Sequence, residues 1–156
     1  MNTILLAEDS PDDVFIFKSA LLKTKLDWAL HVVGTGRDAV NYLHGLGHFN
    51  ERKRYPLPSA VFLDLQLPYL NGFDVLRWIR QQPRFAELVV IILTGSNERQ
   101  DQEEARKLLA TSYLVKPLTS AKLSAELDSL ATVRSYRGTA PSVKTLPTPK
   151  SIVIRQ

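Results

Sequence analysis

Five short stretches of the chain are nearly unbroken runs of apolar residues: TILLA at 3–7, WALHVV at 28–33, AVFL at 60–63, LVVIIL at 88–93 and SYLV at 112–115. A strand with one wet face alternates apolar and polar residues, whereas a strand covered on both faces does not. At least four of the five show no alternation, so the pattern predicts strands buried on both sides. Helical segments lie between them. Ser10-Pro11-Asp12-Asp13 reads as a helix start, with serine as the cap, proline at the first helical position and an acid three residues on. Phe15, Leu22 and Leu26 then predict its apolar stripe.

A second helix is expected over 37–43, ending at Gly45 and Gly47, and a third over 72–81, stopping before Pro83. A fourth is expected after Asn97 as its cap. A fifth, after Thr119 and running to about Arg134, places Leu123, Leu127, Leu130 and Ala131 on one face. Five strand and helix repeats joined by short connections require right-handed crossovers, which produce a parallel sheet with helices on both faces. The expected fold is a doubly wound α/β domain.

The length of 156 residues fits one such domain. The chain has no cysteine, which excludes disulfides and thiolate metal sites and fits a cytoplasmic setting. No apolar run approaches the length of a membrane span, and the first one meets acids at Glu8 and Asp9. Neither a membrane nor a secretory leader is expected. The net charge of +4 is concentrated at the end: residues 138–156 carry Lys144, Lys150 and Arg155 and no acid, which leaves +1 for the body. With the charge placed there, no nucleic-acid partner is expected, and Arg52-Lys53-Arg54, beside Glu51, reads as a solvated loop. Pro141, Pro147 and Pro149 predict a mostly irregular extension over 138–156, although Ile152-Val153-Ile154 is apolar for a free tail.

Open α/β sheets bind ligands beyond the carboxyl ends of their strands. In this sequence the first strand runs into Glu8 and Asp9, the third into Asp64, the fourth into Thr94-Gly95-Ser96 and the fifth into Lys116-Pro117. Each has an ordinary explanation singly: Asp9 favours the positive end of a helix, Thr94 favours a strand, and Lys116 suits a surface turn. Asp64 resists one, since it follows Val61-Phe62-Leu63 and precedes no helix start. Three converging carboxylates need a proton or a cation among them, and an all-oxygen ligand set without Cys or His favours Mg2+. With Lys116 and the Thr94 hydroxyl added, the set suits an incoming phosphoryl group, with Asp64 as nucleophile. Gly95 would leave room for the phosphoryl oxygens. His44 and His48 are four apart, but Gly45 and Gly47 end the helix that would present them, so no metal site is expected there.

The combination Glu8-Asp9, Asp64, Thr94 and Lys116-Pro117, with LDLQLPYLNGFDVL around the nucleophile, resembles the receiver domain of bacterial two-component response regulators, the CheY-like family. The resemblance covers about residues 2–135, and the domain is expected over 1–137. It implies a flavodoxin-like five-stranded sheet of order 2-1-3-4-5. It implies that Asp64 accepts a phosphoryl group from a sensor histidine kinase, in a signalling switch and not an enzyme acting on other molecules. Asp9 and Asp64 would bind Mg2+ directly, Glu8 through water, and the Gln66 backbone carbonyl would complete the protein ligands. Thr94 and Lys116 would hold phosphoryl oxygens, the Lys116–Pro117 bond would be cis, and Tyr113 would be the switch aromatic. Thr94 moving inward would let Tyr113 turn into the vacated space and change the surface of the fourth helix, fifth strand and fifth helix, for a partner or a second copy. The loop GLGHFNERKRYPLP and the tail resemble stand-alone regulators paired with bacterial phytochromes, which implies a red-light-sensing kinase as phosphodonor and a homodimer. Three other readings are a pseudo-receiver that works without phosphorylation, an aspartate-nucleophile phosphatase and a DNA-binding regulator. The second normally has an acid two residues after the nucleophile, where this chain has Gln66.

Overall fold

The computed structural model describes residues 2–137 and 153–155. Its elements run β1 (Asn2–Ala7), α1 (Pro11–Thr24), β2 (Trp28–Val33), α2 (Gly36–His44), β3 (Ala60–Leu63), α3 (Gly72–Gln81), β4 (Val89–Thr94), α4 (Arg99–Lys107), β5 (Ser112–Val115), α5 (Ser120–Arg137) and β6 (Val153–Arg155), with single 3-10 turns at Gly47–Asn50 and Pro83–Phe85. The strands pair in parallel in the order β2-β1-β3-β4-β5-β6. The first five follow the expected 2-1-3-4-5. A sixth strand extends the sheet: Ser112, Tyr113 and Leu114 of β5 stand opposite Val153, Ile154 and Arg155. Part of the apolar tail is therefore regular, while residues 138–152 lie outside the described residues.

Each inner strand divides its side chains between two cores, as the period of two requires. Leu5, Ala7, Val61, Leu63, Val90, Ile92 and Tyr113 face one side, where α2, α3 and α4 close over them with Ala39, Leu43, Val75, Leu76, Ile79 and Ala105. Ile4, Leu6, Ala60, Phe62, Ile91, Leu93 and Leu114 face the other, covered by α1 and α5 through Phe17, Ala20, Leu21, Leu123 and Leu127.

The stripe expected on α1 is a correction. Phe15 and Leu22 are 70% and 80% exposed, and the buried face is Phe17, Ala20 and Leu21, flanked by partly buried Val14 and Leu26. Two apolar stripes compete on this helix, and packing selects the one whose Phe17 ring meets Phe62 edge-on at 5.0 Å. On α5, Leu123 and Leu127 are buried but Ala131 is exposed. The α4 cap also differs: Glu98 occupies the cap position without a side-chain bond, and Asn97 instead accepts from the Gln102 amide at 3.0 Å.

Other starts follow the sequence closely. Ser10 Oγ accepts from the Asp13 backbone N–H, Thr35 from that of Asp38 and Asn71 from that of Asp74. The long connection after α2 folds back on the body. Gly45 takes a left-handed φ of 79°, and Arg52 donates to the carbonyls of Tyr42 and Leu43 at the end of α2 and to that of Tyr55. Arg52 is thus a helix-end ligand, not part of a solvated basic run. His31 of β2 packs against Tyr42 and Tyr55, and burial pushes the Tyr42 hydroxyl up to about 12 and His31 down. His44 lies against Trp78 and His48 against Phe49, in separate places.

A second arginine ties two connections together. From α3, Arg80 donates to the carbonyls of Phe85, Ala86 and Leu88 before β4, and twice to that of Leu109, whose φ is 62°. Replacing it leaves these carbonyls to water or to nothing. Arg80→Met is expected to lower unfolding free energy by about 2 kcal/mol, measured by urea denaturation. His31 gives a pH signature. Its folded pKa lies below the ordinary 6.5, so the unfolded chain binds the proton first and stability is lost as pH falls below that value. The loss between about pH 7.5 and about pH 5.5 is expected to be smaller in His31→Phe than in wild type by the same urea measurement.

Candidate functional site

Strand register sets the site. Ala7 stands opposite Leu63, so Glu8 and Asp64 leave the sheet side by side. Two backbone bonds continue the ladder at this level, Glu8 N–H to the Val33 carbonyl and Asp64 N–H to that of Ala7. Thr94 stands opposite Val115, and Lys116 donates its backbone N–H to the Thr94 carbonyl at 2.8 Å. Because β2 and β3 lie on opposite sides of β1, this edge is the point where the direction of winding reverses.

Lys116 is the electrostatic centre. Its Nζ donates to Glu8 Oε2 at 2.6 Å, Asp13 Oδ2 at 2.8 Å and Asp64 Oδ2 at 3.0 Å. Burial alone would lower the pKa of this ammonium, but the bonds to Asp13, Glu8 and Asp64 outweigh it and hold the pKa above the ordinary lysine value. Glu8 is 3% exposed; burial pushes its carboxyl up, against the hydrogen bonds from Lys116 and the Ser10 N–H. The Lys116 ammonium is charged on either account, and its Glu8 contact is a buried charge-assisted bond.

Asp64 is held from two directions. Its Oδ1 accepts the Gln66 N–H at 3.1 Å and its Oδ2 accepts from Lys116, and the residue is 6% exposed. The chain then turns back tightly. Gly72 donates its N–H to the Leu65 carbonyl, and a Cβ at Gly72 would run into the Asp64 carbonyl oxygen, so a side chain there would push on the acid's own backbone. At Gly95 the space is open: a Cβ would meet nothing within 4 Å.

Carboxylate oxygens of Glu8, Asp9 and Asp64 lie within 4.8 Å of one another. Two ionised carboxylates at that spacing repel by about 3 kcal/mol at an effective dielectric of about 20. With Asp13 added, four carboxylates face one ammonium. A hard, all-oxygen, negatively charged set of this kind fits a divalent cation.

The structure thus brings Glu8, Asp9, Asp64, Thr94 and Lys116 to one edge. The Lys116–Pro117 peptide is cis. Thr94 is 1% exposed, and its Oγ1 accepts the Ser96 N–H at 3.3 Å. Tyr113 is wholly buried, with its hydroxyl donating to the Ser96 carbonyl at 3.0 Å, and burial raises its pKa. Its ring already occupies an inward position. Gln66 is exposed, and its backbone is the part that meets Asp64. The Asp13 contact is absent from the sequence reading, which takes Asp13 only as a helix-start acid. The signal was available: a cap at Ser10 puts that acid in the first turn, directly over the strand ends.

A 2-1-3-4-5 sheet with acids, threonine and lysine gathered at its switch point defines a receiver-type α/β signalling domain. Comparison with known proteins makes the class specific: residues 4–128 match the model of the response regulator receiver domain, and the chain belongs to that family. It is 32% identical over 115 residues to response regulator Rcp1 of Synechocystis sp., spanning 74% of this chain and 76% of that protein. Response regulator RPA3017, in red light signaling of R. palustris, superposes with a TM-score of 0.72 at 32% identity, over 95% of this chain and 99% of that one. The Mn2+-bound form of Rcp1 superposes with a TM-score of 0.71 at 27% identity, over 91% and 100%. Among the described residues, no helix is long and apolar enough to cross a membrane.

A divalent cation is expected to bind and stabilise the folded chain. Ligand at about one hundred times its Kd adds about 2.7 kcal/mol. Thermal unfolding with and without Mg2+ or Mn2+ measures this, and Asp9→Asn is expected to lose most of the shift.

Proposed function

We propose that the chain is a phosphorylation-driven switch in which Asp64 is the phosphoacceptor, with a phosphohistidine of a sensor histidine kinase as donor. An Asp64 carboxylate oxygen forms a bond to phosphorus as the phosphorus–nitrogen bond breaks, and the imidazole nitrogen keeps the electron pair. Water later cleaves the acyl phosphate and restores the carboxylate. The observation that carries this reading is the geometry of Asp64, an ionisable side chain clamped by the Gln66 N–H and by Lys116 at the end of a wholly apolar strand. Such a mount fixes the direction of the nucleophile before the donor arrives.

Glu8, Asp9 and Asp64, with the Gln66 carbonyl, would hold Mg2+, which when bound neutralises charge on the transferring group. Lys116 and the Thr94 hydroxyl serve the remaining phosphoryl oxygens. Gln66 offers no acid for turnover of added esters, so the chemistry stays on the protein itself. This favours a switch over a phosphatase.

The readout runs through Ser96. Its N–H donates to Thr94, its carbonyl accepts from Tyr113, and its hydroxyl bonds Asp101 in the first turn of α4. A pull on Thr94 therefore reaches the tyrosine and α4 through one residue, and alters the face formed by α4, β5 and α5. That face would take a partner or a second copy. Similarity to RPA3017, in red light signaling, and to the bacteriophytochrome response regulator RtBRR supports a phytochrome-type kinase as donor; a cytoplasmic setting and a homodimer complete the proposal.

With Mg2+ and acetyl phosphate, wild type is expected to gain the mass of one phosphoryl group, labile to hydroxylamine, and Asp64→Asn to gain none. Intact-protein mass spectrometry reads both. Equal labelling of the variant would remove Asp64 as the acceptor.

A further inference from the structure

The lysine is more heavily engaged than phosphoryl binding requires. An ammonium has three N–H donors, and in Lys116 all three point to carboxylates: Glu8, Asp13 and Asp64. A phosphoryl oxygen therefore gains a lysine hydrogen bond only by displacing one of them. The three are unequal. The side chains of Glu8 and Asp64 are 2% and 8% exposed, while that of Asp13 is 35% exposed and reaches in from the first turn of α1. Glu8 and Asp64 belong to the carboxylate trio that would hold the metal and keep a place there, whereas Asp13 lies outside that trio and turns to water at small cost.

Glu8, at 2.6 Å, suffices to anchor the ammonium without Asp13. Asp13 also places a negative charge beside the position an anion must take. Both effects act in the same direction. A cavity of about 240 Å³ bounded by Asp13, Ile16, Leu93, Lys116, Pro117 and Leu118 adjoins the Asp13–Lys116 pair and leaves the Asp13 side chain room to turn away.

We propose that Asp13 is a positioning residue that competes with the incoming phosphoryl group for the Lys116 ammonium, and so sets how tightly the activated state is held. The inference rests on the phosphoacceptor reading above. It makes the N-terminal turn of α1 part of the switch, because engagement of the lysine by phosphate frees Asp13 from the site.

The test uses beryllofluoride, a phosphoryl mimic, titrated into the full chain at saturating Mg2+ and followed by calorimetry and by the fluorine resonance of the bound ion. Asp13→Asn is expected to bind about three- to five-fold tighter than wild type, the range for one partly exposed charge pair. Asp13→Glu, which keeps the carboxylate, is expected to stay within about two-fold of wild type; a general loosening of α1 would not distinguish the two variants. If wild type binds and Asp13→Asn binds equally or more weakly, the competition is overturned while the phosphoacceptor reading stands. If Asp13→Glu matches Asp13→Asn, the carboxylate is not the cause and the proposal again falls. If wild type binds no beryllofluoride, the phosphoacceptor reading itself fails, and this inference with it.

Discussion

Everything at the functional edge depends on one contact set, the Lys116 ammonium among Glu8, Asp13 and Asp64. Glu8 and Asp64 at the ends of adjacent strands, with Asp13 in the first turn of α1, would push that edge apart if left alone. The lysine turns the repulsion into a clamp, though an incomplete one, because four carboxylates still share a single cation. The remaining negative charge suits the site to a divalent cation, and the lysine would allow an anion to approach a cluster of acids at all. Affinity for both signs of charge in one small space is what the proposed phosphoryl switch would rest on.

The clamp works only because its mounts do not move. Glu8, Asp64 and Lys116 each follow the last residue of a strand and Thr94 is the last residue of β4, and β1, β3 and β4 are buried on both faces over nearly their whole length. Their backbone register, not their side chains, fixes the separation of the charged groups. Gly72 extends this control past the sheet, since the chain returns so close to Asp64 that only a residue without a Cβ fits unstrained. The Arg80 bonds do the same at the opposite pole, holding the turns before β4 and β5 and so the depth at which those strands begin.

What could be read in the sequence was whatever violates a local rule. An acid after Val61-Phe62-Leu63 breaks an apolar run, and a lysine before a proline breaks another, so both stand out without any structure. The positions of β1 to β5 were legible for the same reason, to within a residue, whereas β6 was not, because its short apolar stretch follows three prolines. The α1 face was not, because Phe15 and Leu22 and the pair Phe17 and Leu21 offer two helical stripes of similar quality, and only contact with Phe62 decides between them. Asp13, Arg52 and Arg80 were missed in a related way. Each satisfies a local expectation, a helix-start acid or a surface base, while its energetically important partner lies elsewhere in the chain or in a backbone carbonyl that composition does not reveal.

The placement of β6 bears on how a change at Thr94 could leave the domain. Tyr113 is fixed at both ends, its hydroxyl on the Ser96 carbonyl and its backbone in register with Ile154 of β6 and Ile92 of β4. A ring inside the core has little freedom to swing without cost, because interiors are packed to crystal-like density. Displacement of Ser96 is therefore resisted at the ring and taken up where packing is thinnest. That place is the start of α4, whose Glu98 cap side chain makes no bond and which is tied to the Ser96 hydroxyl by the Glu98 N–H and by Asp101. In the proposed switch α4 would be the element of the output face that moves, and β5 with the outer strand β6 would be the surface against which it moves.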